Sequence, residues 1–297
     1  MTRSHPIPLG LLVLVALAAA CGSSAPTAPI TTPPPTPTAS FPGFDIAVYP
    51  GDASMRAWLR PASPYYWSGY YLPAPCHRDP SYTGKYATLA AMGWGVTAIY
   101  VGQQDWTHIP APPPNGAVDP ESAPSAASGA RAAVVCSSSL LSIDQGTSEA
   151  ADATQKMAAD GFPSQSVVFL DVEYVTTVTP ALLDYYHAWI RGVLTDGRFV
   201  PGVYAAKSNA TTLYNAAVDE FRRAGRIDLP AFWIASSVGF TTGSMPTAVG
   251  LDFATMWQGM FDVTQSWASV TLTVDVNVSN TKSPSAPRLA AVSVSTR

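Results

Sequence analysis

The most informative stretch of this chain reads VVFLDVEY, from Val167 to Tyr174. Four apolar residues followed by Asp-x-Glu predict a buried strand that carries two carboxylates at its C-terminal end. Because side chains alternate along a strand, we expect Asp171 and Glu173 to share one face while Val172 points to the other. Two neighbouring acids repel each other, which raises the pKa of the more buried one and keeps a general acid protonated near neutral pH. An acidic capping or calcium-binding loop is the alternative interpretation.

The remainder of the chain alternates strand-like and helix-like segments, which predicts an α/β fold. The candidate strands are Gly43–Val48, Tyr65–Leu72, Val96–Val101, Ser166–Asp171, Val200–Tyr204, Ala231–Ala235, Ala254–Trp257 and Leu272–Val276. The candidate helices are Thr83–Met92, Thr147–Ala159, Pro180–Leu194 and Asn209–Ala224. Eight strands, with helices mainly in the first five connections, indicate a single, incomplete TIM-like (β/α) barrel. The reactive groups of such barrels gather at the C-terminal ends of the strands.

Polar or aromatic side chains stand at the ends of seven of these predicted strands. They are Asp45, Gln103 with Gln104, Asp171 with Glu173, Tyr204, Trp233, Gln258, and Asp275 with Asn277. In a barrel these ends meet at one mouth, so we expect the side chains to line a common cleft. Carboxylates together with flat rings are typical of a sugar site, where acids cleave or hydrogen-bond and rings stack on pyranose faces.

The N-terminus predicts export. An apolar run from Leu9 to Ala20 is shorter than the ~20 residues that a membrane span needs, so residues 1–20 are interpreted as a signal peptide. The sequence before Cys21 resembles a bacterial lipobox, although Ala18 stands where leucine is usual, and this predicts lipidation of Cys21 and a membrane anchor on the outer face. The alternative is ordinary cleavage after Ala20 and a secreted protein. No twin-arginine pair is present, which favours general secretion.

Composition divides the mature chain into a linker, a domain and a tail. Residues 21–40 are rich in Pro, Thr and Ser and are predicted to form an extended linker. Residues 41–279 are rich in aromatics and can close one barrel domain, whereas residues 280–297 are predicted to be a flexible tail. A further long segment, residues 107–142, is rich in Pro, Ala and Ser and is a candidate for covering the cleft.

Charge and cysteine content limit which partners and cofactors the protein is expected to bind. A net charge of -4 with 12% charged residues offers no basic surface for nucleic acid. In an exported compartment Cys76 and Cys136 are expected to pair as a disulfide, the alternative being a Cys136 buried in a helix. The cysteines and histidines lack metal-ligand spacing, and no phosphate-binding glycine loop is present, so we expect no metal or cofactor. We expect a monomer.

Several of these segments together resemble a known family. They are Gly-Phe-Asp at 43–45, Tyr-Val-Gly-Gln-Gln at 100–104, Asp-x-Glu at 171–173, Pro-Gly-Val-Tyr at 201–204, Phe-Trp-Ile-Ala at 232–235, Met-Trp-Gln at 256–258 and Val-Asp-Val-Asn at 274–277. The chain resembles, over residues 41–279, the glycoside-hydrolase-like domain of exported actinobacterial proteins. That domain is similar in turn to the family 25 glycoside hydrolases, which are muramidases with a flattened β/α barrel.

The resemblance implies roles for individual residues. Glu173 matches a general acid, Asp171 the carboxylate beside it, and Asp45 the acid of the first strand, so these three are the predicted catalytic residues. The predicted substrate-binding residues are Gln103, Gln104, Tyr204, Trp233, Gln258 and Asp275. Two carboxylates on one strand lie too close for an inverting pair, which favours cleavage assisted by the acetamido group of the sugar, the alternative being a direct retaining nucleophile. Substrate assistance would restrict the substrate to an N-acetylhexosamine polymer such as peptidoglycan. The alternatives are a glycan-binding protein on a degenerate barrel, without catalysis, and an envelope protein that uses the barrel only as a scaffold.

Overall fold

A computed structural model of the protein describes residue 1, residues 39–108 and residues 136–288. Apart from residue 1, the predicted signal peptide lies outside the described residues, and so do Cys21 and nearly all of the linker. Most of the segment predicted to cover the cleft also lies outside them. Within the described part of the chain, every helix is too short or too polar to cross a lipid bilayer.

Eight strands close into one barrel in chain order. They are β1 (Phe41–Asp45), β2 (Trp67–Tyr71), β3 (Gly95–Val101), β4 (Val167–Val172), β5 (Val200–Ala206), β6 (Ala231–Ala235), β7 (Ala254–Trp267) and β8 (Val270–Ser279). Strands β1 to β7 run parallel, whereas β8 is antiparallel to both of its neighbours, β7 and β1. The predicted α/β barrel is therefore confirmed, with one reversed strand that the sequence did not indicate.

Each of the first five connections contains one α-helix, and four of these five helices were predicted. The helices are α1 (Asp52–Ala57), α2 (Tyr86–Met92), α3 (Ile143–Ala159), α4 (Pro180–Asp196) and α5 (Lys207–Arg223). The start of α4 has the expected cap, because Thr179 accepts a hydrogen bond from the backbone N–H of Leu182 and Pro180 takes the first turn. Helix α1 was not predicted, since six residues without a side-chain N-cap show no helical period.

The β7–β8 hairpin is much longer than the two short strands expected there. Bulges after Gln258 interrupt the β7–β8 register, and the hairpin beyond them contacts residues that cover the outside of β1. The indole N–H of Trp58 donates to the carbonyl of Val270, and the hydroxyl of Tyr65 donates to Gln265. Both rings pack on Phe44 of β1. The hairpin thus lies over β1, on the side of the barrel where the last connections supply no α-helix.

Large rings fill the barrel interior beneath its C-terminal end. Trp233 lies edge-on to both Trp67 and Phe169, with ring centroids 6.0 Å apart in each pair. Gly69 leaves room at the same level, since a Cβ there would stand 2.5 Å from the Cβ of Asp45. The packed rings close the barrel from below, and the mouth lies above them.

The prediction of a flexible tail from residue 280 is wrong for residues 280–288. Ser285 joins two neighbouring strands at their N-terminal ends: its hydroxyl accepts from the N–H of Ala98, its N–H donates to the carbonyl of Val96, and its carbonyl accepts from the N–H of Val167. The Ser- and Pro-rich composition suggested a loose segment, but these backbone groups pair with strand ends that only the closed barrel brings close. Residues 289–297 lie outside the described residues.

The predicted disulfide between Cys76 and Cys136 is confirmed, with the two Cα atoms 5.0 Å apart. Cys76 follows β2, and its backbone N–H donates to the carbonyl of Val101 at the end of β3. The disulfide therefore attaches Cys136, which follows the long segment after β3, to the mouth of the barrel.

Candidate active site

A cleft opens at the mouth of the barrel. It is lined by Asp45, Tyr71, Ile99, Asp171, Glu173, Tyr204, Trp233, Gln258, Phe261 and Asp275. Seven of the nine predicted site residues are in this set. The other two, Gln103 and Gln104, are buried beside the cleft without lining it.

Strand β4 brings both predicted acids to the cleft, as its alternation indicated. Asp171 pairs in register with Val101 of β3 and Tyr204 of β5, whereas Glu173 follows directly after the strand ends. Asp171 is buried and Glu173 is half-buried. The carboxylate nearer the rim is therefore the one more open to a substrate oxygen.

Asp45 is the most enclosed acid of the cleft, with 2% of its surface exposed. Its carboxylate accepts hydrogen bonds from the hydroxyl of Tyr71 at 2.8 Å and from the amides of Asn277 at 2.7 Å and Gln258 at 3.3 Å. Burial raises the pKa of Asp45 to about 6, although the three hydrogen bonds favour the ionised form and act in the opposite direction. The sequence had placed such a shift on the Asp171–Glu173 pair and gave no reason to expect it at Asp45.

Gln258 connects the acids of the first and last strands. Its amide nitrogen donates to Asp275 at 2.8 Å as well as to Asp45, and its oxygen accepts from the hydroxyl of Tyr204 at 2.5 Å. Asp45 and Asp275 are register partners in β1 and β8, so the reversed strand places them side by side. Gln258 therefore holds one wall of the cleft together.

Tyr204 stays protonated in this setting. Burial is the main reason that its pKa is raised well above the ordinary value, and the negative charges of Glu173, Asp171, Asp45 and Asp275 raise it further. The four carboxylates of the cleft therefore all favour the protonated form of Tyr204. Its hydroxyl remains a hydrogen-bond donor across the pH range in which proteins are folded.

Not all aromatic residues of the cleft are exposed enough to stack on a sugar in the way that the sequence had indicated. Trp233 has only 2% of its surface exposed, and its indole N–H donates to Asn277 at 3.0 Å, so it forms the floor and offers no open face to a sugar. Tyr71 is buried as well and supports Asp45. Phe261 and Tyr204 are the partly exposed rings of the lining.

Sequence reasoning missed Tyr71, Ile99 and Phe261. Tyr71 ends β2 and obeys the same strand-end rule that identified the other residues, so it could have been found. Ile99 lies inside β3 and reads as an ordinary core residue. Phe261 reaches the cleft because the bulges after Gln258 bend β7, and nothing in the local sequence predicts those bulges.

The two adjacent glutamines after β3 point in different directions. The amide of Gln103 donates to Glu149 of α3 at 2.8 Å and accepts from the backbone N–H of Ser137 at 2.8 Å, so it lies between the barrel and its helices. The amide of Gln104 donates to the carbonyl of Asp171 at 2.8 Å and accepts from the N–H of Glu173 at 3.0 Å. The structure thus places neither side chain where the predicted contact with substrate would require it.

The carboxylates are spread around the mouth and are not clustered on one point. In the part of the chain that the structure describes, no three His, Cys, Asp or Glu side chains are arranged to hold a metal ion. The chemistry that these residues can perform is proton transfer, hydrogen bonding and stabilisation of positive charge.

The raised pKa of Asp45 predicts a specific pH dependence of stability. The folded state binds this proton more tightly than the unfolded chain, so the contribution is intact below pH 3.8 and is lost as the pH rises to about 6. A shift of this size corresponds to about 3 kcal/mol. Denaturant unfolding of wild type and Asp45→Asn at pH 4 and pH 7 measures it: the wild type should lose stability relative to the variant at the higher pH. A relative gain would contradict the burial argument.

Comparisons with known proteins agree with this architecture. The sequence model of the Rv2525c-like, glycoside hydrolase-like domain matches residues 56–279. An uncharacterised protein of B. stearothermophilus is similar in structure, with a TM-score of 0.50 and 15% identity over 80% of this chain and 95% of the other. The Tat-secreted protein Rv2525c of Mycobacterium tuberculosis has a TM-score of 0.43 and 16% identity over 80% and 94%.

The spore cortex lytic enzyme SleM of Clostridium perfringens has a TM-score of 0.47 and 14% identity over 82% of this chain and 68% of its own. No curated protein matches the chain. At these identities the similarity of structure concerns the fold.

Proposed function

Because this chain belongs to the family of Rv2525c-like, glycoside hydrolase-like domains, we propose that it is an exported glycoside hydrolase of the cell envelope that acts on an N-acetylhexosamine polymer such as peptidoglycan. The observation that carries the proposal is the delivery of Asp171 and Glu173 by one strand into a cleft that Asp45 and Asp275 also line. Two carboxylates at the reacting centre are what hydrolysis of a glycosidic bond requires. The glycoside hydrolase-like domain of this family supports the choice of a glycan as substrate.

Glu173 is the proposed general acid because it lies nearest the rim. It gives its proton to the glycosidic oxygen as the bond from that oxygen to the anomeric carbon breaks, while the acetamido oxygen of the sugar bonds to the same carbon. Asp171 accepts a hydrogen bond from the acetamido N–H and stabilises the positive charge that develops there. Water then attacks the anomeric carbon, the bond from that carbon to the acetamido oxygen breaks, and the Glu173 carboxylate takes a proton from the water.

The other residues of the cleft hold the sugar. Asp45 and Asp275, joined through Gln258, form a polar wall, and Tyr204 presents a hydroxyl that remains protonated. Phe261 is the proposed stacking surface, since it is a partly exposed ring of the lining. Gln103 has no part in binding.

The experiment that tests this function is a digest of purified peptidoglycan followed by detection of new reducing ends, run beside a pull-down of the same glycan. New reducing ends support the hydrolase. Retention of glycan without cleavage refutes it and favours a binding protein. If neither occurs, the barrel serves as a scaffold.

We propose further that the mature protein begins at Cys21 and is anchored by lipid on that residue. One acyl chain binds a membrane only weakly, so stable attachment needs the several chains of a bacterial lipoprotein. Replacing Cys21 by Ala should move the protein from the membrane fraction to the soluble fraction, and mass spectrometry of the wild type should find a lipid mass on Cys21. A variant that still sediments with membranes would contradict the anchor.

A further inference from the structure

Strand β4 continues past the point where its neighbour β3 ends. The last register pair between the two strands is Val101 with Asp171, while β4 itself runs to Val172 and leads directly into Glu173. Backbone groups of alternate residues point to the same side of a strand, so the carbonyl of Asp171 and the N–H of Glu173 face the same neighbour. On that side β3 has already ended, so its backbone does not pair with these two groups.

The side chain of Gln104 takes the place of the missing backbone. Its amide nitrogen donates to the carbonyl of Asp171 at 2.8 Å, and its amide oxygen accepts from the N–H of Glu173 at 3.0 Å. In a parallel ladder one residue makes this same pair of bonds, to residues two apart on its neighbour. The carboxamide therefore acts as one additional rung, built from a side chain.

The side chain of Gln104 is buried and cannot contact a substrate. It has 1% of its surface exposed, and its amide nitrogen also lies 3.4 Å from the carbonyl of Gly102. Only a group with a donor and an acceptor in one plane can bridge both backbone atoms. The rung spans Val172, so it sets the backbone positions from which Asp171 and Glu173 project into the cleft.

We infer that Gln104 is a positioning residue, whose carboxamide fixes the orientation of Asp171 and Glu173 relative to each other without touching the sugar. The consequence for catalysis rests on the proposed function, whereas the structural bracing does not. Displacing a reacting group by about 1 Å typically costs roughly 10²-fold in rate. Loss of the rung should therefore lower kcat for glycan cleavage by about that factor and leave KM unchanged.

The adjacent residue offers a matched control. Gln103 is as deeply buried as Gln104 and also uses its amide as both donor and acceptor, but toward Glu149 and Ser137. Gln103→Met and Gln104→Met remove the same groups from neighbouring buried sites, so a general loss of stability should affect both. Only Gln104→Met should reduce kcat. An equal reduction of kcat in both variants would show that Gln104 has a merely structural role.

Hydrogen exchange of the Glu173 amide tests the brace independently of any activity. Gln104→Met should speed this exchange by about tenfold or more, because the N–H loses its acceptor, and Gln103→Met should not. If the methionine variant does not fold, Gln104→Asn keeps the carboxamide but is one methylene shorter and cannot reach both backbone groups, and the same kcat loss is expected. Unchanged exchange would overturn the inference, whereas a wild type that cleaves no glycan would overturn the proposed function alone.

Discussion

Replacing Glu173 by Gln is expected to lower the cleavage of N-acetylhexosamine glycan by roughly 10²–10⁴-fold, the usual contribution of a placed general acid. The amide keeps the size and the hydrogen-bonding shape of the side chain but has no proton of suitable acidity to give to the leaving oxygen. Glu173 lies half-buried at the rim, so the substitution should leave the packed rings beneath the cleft undisturbed. Reducing ends released from purified peptidoglycan give the rate.

Binding and charge controls separate catalysis from other effects of this substitution. Glu173→Gln should still retain glycan in a pull-down, because the polar wall formed around Gln258 is intact. Asp184 is exposed on α4, and Asp184→Asn removes one negative charge without altering any residue that lines the cleft. That variant should cleave at the wild-type rate. Full activity in Glu173→Gln would refute the assignment of Glu173 as the acid.

Removing the disulfide is expected to lower the free energy of unfolding by about 4 kcal/mol in the chain-entropy model. Cys76 and Cys136 are 60 residues apart, so the bond closes a long loop and restricts the unfolded chain considerably. The double variant Cys76→Ser, Cys136→Ser removes the bond without leaving a reactive thiol at either position. Denaturant unfolding of the variant and the wild type gives the difference.

Reduction of the wild type supplies the control for this prediction. Wild type unfolded in the presence of a thiol reductant should match the double variant, since both lack the same cross-link, and the reductant should not change the variant. A difference well below 1 kcal/mol between oxidised wild type and variant would contradict the entropic estimate. It would indicate that the unfolded chain stays restricted without the bond.

Local pattern was enough to predict the main elements of the fold. The two-residue period of β4 correctly placed Asp171 and Glu173 in one cleft, because alternation is a property of any extended chain. Helix α4 began where the Thr179-Pro180 cap predicted. Elements that depend on distant partners were missed or cut short, as the β7–β8 hairpin shows, because its alternating polar residues acquire a buried side only against Trp58 and Tyr65.

The same distinction between local and distant determinants applies to the residues of the site. Residues at strand ends could be predicted as a group, since parallel strands of a barrel must end at one mouth, and seven of the nine that were predicted do line the cleft. The individual roles of these residues could not be predicted from the sequence. The pKa of Asp45 is raised by burial in the closed barrel, and the direction of each side chain in the Gln103-Gln104 pair depends on which partner lies within reach.

The sequence by itself therefore determined the alternating strands and helices, the order in which the acids appear and the pair of cysteines that bond. These follow from short-range periodicity, from capping and from the oxidising compartment that the N-terminus predicts. Only the tertiary structure decided that β8 runs backwards and sets Asp275 beside Asp45, that residues 280–288 close on the barrel, and that a glutamine completes the strand that carries Glu173. Each of these depends on hydrogen-bonding groups far apart in the chain, which acquire their partners only when the barrel closes.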